Sequence, residues 1–93
     1  MIEYLYDAVR ATAGTDITIA AEIAEEDGES ITENCKLVLF LDDKQIEIDG
    51  ELKADIYNFT IPASYTTGIM GRYWYCFKSN GNMLCFKQPI YLV

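Results

Sequence analysis

The chain has 93 residues, is 51% hydrophobic and carries a net charge of −8, with a pI near 4.2. That size suits a single domain, residues 1–93, and the acidity argues against the basic face that nucleic acid and anionic membrane surfaces demand. Histidine is absent, which excludes Ser-His-Asp or Cys-His catalysis and any His-ligated metal.

Met1-Ile2-Glu3-Tyr4 lacks a basic segment leading into an apolar one, so no signal peptide is read there and cytoplasmic synthesis is expected. No apolar run approaches the ~20 residues that span a bilayer. Residues 2–10 read as a first strand, and Ala13-Gly14-Thr15-Asp16 as a turn. Ile17, Ile19, Ala21 and Ile23 then alternate with polar or small residues, the period of a half-buried strand. Residues 20–26 also have high helix propensity, but the alternation leading into them favours strand. An acidic loop follows. Residues 36–41 are apolar on both faces, which places that strand centrally in its sheet. Asp42-Asp43-Lys44 turns the chain, residues 45–48 form a short strand and Asp49-Gly50 turns it again. Residues 54–61 alternate once more until Pro62 removes a backbone donor. A connection containing a helical turn covers residues 64–70. Short strands at near-regular spacing, with no long helical period, predict an all-β antiparallel sandwich of seven or eight strands.

The last third carries the most information. Asn80-Gly81 is a strong type I′ turn signal, flanked by aromatic-rich arms. Taking it as a two-residue turn pairs Ser79 with Asn82, Lys78 with Met83, Phe77 with Leu84 and Cys76 with Cys85. One face then holds Tyr73, Tyr75, Phe77, Leu84 and Phe86, the predicted core face. The other holds Arg72, Trp74, Cys76, Lys78, Met83, Cys85 and Lys87. A one-residue slip would bury those lysines, so the register is well specified.

Gly71-Arg72-Tyr73-Trp74-Tyr75 resembles the penultimate strand of immunoglobulin-like sandwiches. The resemblance implies that Tyr73 is a corner tyrosine. It also implies that Tyr75 stands where the inter-sheet cysteine usually sits, so that the antibody-type disulfide is absent. With the closing Pro89-Ile90-Tyr91-Leu92-Val93, most of the chain is similar to small bacteriophage virion modules such as the N-terminal domain of phage baseplate upper proteins. That resemblance implies a non-enzymatic structural or adaptor module of a phage or prophage particle, associated with the virion. Its expected partners are other virion proteins or copies of itself, so a homo-oligomer is open. The alternative is an extracellular or cell-surface immunoglobulin-like domain that binds carbohydrate or a receptor.

The outward strip of Trp74, Met83, Cys76 and Cys85, flanked by Arg72, Lys78 and Lys87, is the candidate contact surface, because Trp, Met and Arg are enriched in interfaces. Arg72, Trp74, Lys78, Met83 and Lys87 are its expected contact residues. The other reading is that Trp74 is covered by a loop or strand of its own domain. Cys76 and Cys85, a non-hydrogen-bonded pair in this register, are placed for a cross-strand disulfide, or they stay thiols in a reducing compartment. Cys35 is expected to pack as a small apolar residue. Residues 22–33 hold six carboxylates, Glu22, Glu25, Glu26, Asp27, Glu29 and Glu33. They match no EF-hand order, and a solvated loop is favoured over a calcium site. No metal and no cofactor is expected.

Overall fold

A computed structural model describes residues 8–22, 35–54, 56–79, 82–84 and 87–93. Among these residues the chain forms strands and a single 3-10 turn, Ala63–Tyr65. The strands are β1 (Val9–Ala11), β2 (Ile17–Ala21), β3 (Cys35–Phe40), β4 (Gln45–Asp49), β5 (Glu51–Lys53), β6 (Ile56–Ile61), β7 (Gly71–Ser79), β8 (Asn82–Met83) and β9 (Gln88–Leu92). They build two sheets. The larger runs β1-β9-β7-β3-β4, with β8 also paired to β7, and the smaller runs β2-β6-β5. All pairings are antiparallel except that of β1 with β9.

The alternation read from the sequence becomes burial. In β2, Ile17, Ile19 and Ala21 are buried while Thr18 and Ala20 are exposed, and in β6 Tyr57, Phe59 and Ile61 are buried. The helix propensity of residues 20–26 does not extend to Ala20 and Ala21, which pair with Asn58 and Tyr57 of β6; Ile23 onward lies outside the described residues. These side chains meet Leu37 and Leu39 of β3, Tyr75 and Phe77 of β7, and Ile90 and Leu92 of β9 in one core. Phe59 and Phe77 join the two sheets, with ring centroids 5.1 Å apart and planes tilted by 44°. Tyr75 and Phe77 meet edge to face, with ring centroids 5.7 Å apart and planes at 85°, an arrangement that aromatic quadrupoles favour. Cys35 belongs to this core. Burial pushes its thiol pKa up, against the smaller opposing effect of hydrogen bonds with Tyr57 and Ser79.

The middle strand is as expected: β3 lies between β7 and β4. The next stretch differs. Asp49-Gly50 is less a turn than a change of sheet, since β4 ends in the larger sheet and β5 begins in the smaller one. All three residues of β5 are exposed, so no alternation marks it in the sequence, and the strands number nine among the described residues rather than seven or eight. Ala54 then adopts a positive φ of 50° and leads into β6.

The hairpin register holds where it is described. Lys78 pairs with Met83, Ser79 with Asn82, and Leu84 N donates to Phe77 O at 2.9 Å. Asn80-Gly81, Cys85 and Phe86 lie outside the described residues, as do residues 1–7 of the expected first strand and residues 23–34 of the acidic loop. Farther down, Tyr75 pairs with Gln88. The return arm therefore carries two more residues than a plain hairpin would between Phe77 and Tyr75. An even insertion keeps every side chain on its own face, so Ile90 still points into the core beside Tyr73. Pro89 sits between this insertion and the first β1 pairing, Val9 with Ile90, where a missing N–H costs least.

The connection before β7 is tied down by specific bonds. Gly14 N donates to the buried Thr66 Oγ1 at 2.9 Å, and Ala63 N donates to Asp16 Oδ1 at 2.8 Å. Tyr73 Oη donates to Met70 O at 3.3 Å. Because that bond is long and partly wet, Tyr73→Phe should cost only about 0.5–1 kcal/mol, read from urea denaturation midpoints. A cost of several kcal/mol would show that the hydroxyl holds more than this one carbonyl.

Candidate functional site

Strands β7, β3 and β4 place side chains in straight rows across the outer face of the larger sheet, because directly paired residues share a face. One row reads Gln45, Phe40, Trp74, Pro89; the next reads Glu47, Val38, Cys76; the third reads Asp49, Lys36, Lys78, Met83. Beyond the first row lie Arg72, Tyr91 and Arg10, on β7, β9 and β1.

These rows separate the five expected contact residues. Lys78 and Met83 fall in the third row, where charge is already matched. Lys36 Nζ lies 3.1 Å from Asp49 Oδ1, and Glu47 accepts from Lys78 and approaches Lys36 at 3.9 Å. Such exposed pairs contribute about 0–1 kcal/mol each. Their clearer role is to put charge along β4, the outermost strand of this sheet among the described residues, which discourages pairing with another chain.

The middle row corrects the expected apolar strip. Cys76 faces outward by register yet is only 1% exposed, as is Val38 beside it. A short side chain between rows of longer ones is easily covered, and Met83 Sδ lies 3.2 Å from Cys76 Sγ. Cys76 is therefore not part of an exposed strip. The proposed Cys76–Cys85 disulfide involves a residue outside the described ones.

Arg72, Trp74 and Lys87 do come together. They line an open groove of about 720 Å³ with Phe40, Asp42, Asp43, Lys44 and Gln45. Trp74 keeps 36% of its surface exposed, so no loop among the described residues covers it. The Arg72 guanidinium carbon lies 5.0 Å from the centre of the Trp74 ring, and Lys87 Nζ lies 4.1 Å from that of Phe40. Both are cation–π distances.

Sequence reasoning missed Phe40, Arg10 and Tyr91. Phe40 was hidden because its strand is apolar on both faces, so nothing local says which residues face out. Arg10 and Tyr91 lie far apart in the chain and become neighbours only through the parallel pairing of β1 with β9. Among the described residues no group of His, Cys, Asp and Glu is placed to hold a metal ion, and no helix is long and apolar enough to cross a membrane. No family model, curated protein or solved structure matches the chain.

Proposed function

We propose that this chain is a non-enzymatic, immunoglobulin-like adaptor module of a phage or prophage particle, working by protein–protein contact through the outer face of its larger sheet. The observation that carries the contact surface is the exposed Trp74, braced by Arg72 and set in an open groove beside Phe40 and Lys87. Aromatic and arginine side chains of this kind dominate the energetics of protein contacts.

Three features support the immunoglobulin-like reading. The sheets run β1-β9-β7-β3-β4 and β2-β6-β5, so consecutive strands are divided between two layers. The first described strand pairs in parallel with the last. The Tyr73 hydroxyl bonds back to the backbone three residues upstream, as a corner tyrosine does, and Tyr75 is fully buried, as the resemblance requires of a residue standing in for the inter-sheet cysteine. The phage assignment rests on the likeness of residues 71–75 and 89–93 to virion modules.

Mass spectrometry of purified particles from the encoding cells tests the assignment. The chain should be present in them at a fixed ratio to the other structural proteins; its absence from particles that assemble normally would overturn the phage reading. Trp74→Ala should change stability by no more than about 1 kcal/mol in thermal denaturation, since a partly exposed side chain contributes little to folding, while incorporation into the particle falls. A destabilisation above about 3 kcal/mol would make Trp74 a core residue instead.

A further inference from the structure

Five of the seven cations of this acidic protein are held in one of two ways. Lys36, Lys78 and Lys53 make ion pairs with Glu47, Asp49 and Glu51. Arg72 and Lys87 instead rest on the rings of Trp74 and Phe40 and make no ion pair among the described residues. The difference has a chemical consequence. A ring face holds a cation through its quadrupole, so a stacked guanidinium is oriented while its in-plane N–H donors stay available. Arg10 extends the arrangement. It and Arg72 flank Tyr91 on the same face, two strand spacings or about 10 Å apart. Arg10 also makes no ion pair among the described residues.

The geometry points to a docking site for an acidic segment of a separate partner protein. Its carboxylates accept from Arg72, Lys87 and Arg10, and an apolar side chain between them lies on Trp74 and Tyr91. This inference rests on the reading that the outer face is a protein contact surface. It adds the chemistry of the partner. Charge complementarity carries the choice, because no carboxylate among the described residues forms an ion pair with these three cations. Asp42 and Asp43, beside Lys44 in the lining of the same groove, set the polarity: they repel carboxylates, so the acidic side chains lie toward Arg72 and Lys87. A second copy of this chain is the poorer occupant, since two whole chains of net charge −8 repel each other, whereas a separate partner need be acidic only in the docking segment.

Trp74 is the chain's single tryptophan, so its fluorescence reports on this site alone. The probes are a capped peptide of glutamate and leucine and the same peptide with glutamine in place of glutamate. The glutamate peptide should change the emission saturably and the glutamine peptide should not. Arg72→Gln should weaken binding about five-fold, the factor that about 1 kcal/mol represents. Asp42→Asn should strengthen it, which guards against reading a general loss of structure as a loss of binding. Raising salt from about 0.1 M to 1 M should remove most of the affinity.

Equal binding of the two peptides would overturn the acidic partner while leaving the contact face in place. No response to either peptide at millimolar concentration would also overturn it; the contact face would then stand or fall on cross-linking at Tyr91. Tighter binding of a capped peptide of this chain's own residues 22–33 would overturn the separate partner in favour of a second copy.

Discussion

Phe77→Ala is expected to destabilise the protein by about 3–5 kcal/mol, a large share of what a domain of this size has. Phe77 is fully buried in the C-terminal half of β7, the strand that pairs with β3, β8 and β9. Its ring packs on Phe59 of the opposite sheet and meets Tyr75 of its own strand edge to face. Removing it deletes the transfer free energy of a large side chain and opens a cavity between two sheets whose strands are hydrogen-bonded and cannot close up freely. Urea denaturation measures the loss. A cost below about 1.5 kcal/mol would mean that the two sheets do not share the tightly packed core described above.

Gly50→Ala should cost about 1–3 kcal/mol, though it adds a single methyl group. A Cβ at Gly50 would stand 2.6 Å from Phe59 Cε1 and 2.8 Å from Tyr57 Cδ1. Both rings are buried and stacked on each other at 5.9 Å. Neither can swing away without disturbing the core. The backbone cannot retreat easily either, because Gly50 N donates to Cys35 O at 3.1 Å where the chain leaves one sheet for the other. The need here is for close approach rather than for an unusual φ. Phe59→Leu in the Gly50→Ala background should therefore recover part of the loss, giving a negative coupling in a double-mutant cycle. Strict additivity would place the strain elsewhere.

These two positions also show what a sequence can and cannot carry. Phe77 was legible, because the period-two pattern around it leaves one face wholly apolar and a slip would bury lysines. Gly50 was read as a turn residue; its contact with Tyr57 and Phe59 depends on a change of sheet that no local pattern announces. Strand β5 was missed for a related reason: an exposed edge strand has no inner face and so no alternation. The hairpin's parity was legible while its two-residue insertion was not, because an even insertion leaves the apolar pattern unchanged.

The candidate surface divides in the same way. Arg72 and Trp74 were legible from their alternation along β7, and Lys87 from the return arm. Grouping them with Lys78 and Met83 was an error of distance along the strand. Residues on one face share an orientation without sharing a neighbourhood, and here a row holding the buried Cys76 separates the two groups. Which cations are matched by carboxylates is a cross-strand property, so only the register distinguishes Lys78, paired with Glu47, from Arg72, resting on Trp74.

The most direct test of the contact surface is photo-cross-linking in the encoding cells, with p-benzoylphenylalanine in place of Tyr91 or, separately, of Ile56. Both side chains are exposed to a similar degree, 39% and 43%, but Tyr91 lies on the outer face of the larger sheet and Ile56 is on the smaller one. Position 91 should give a discrete adduct with a partner protein and position 56 should not. Adducts from position 56 alone, or equal yields from the two, would contradict the assignment of this face as the working surface.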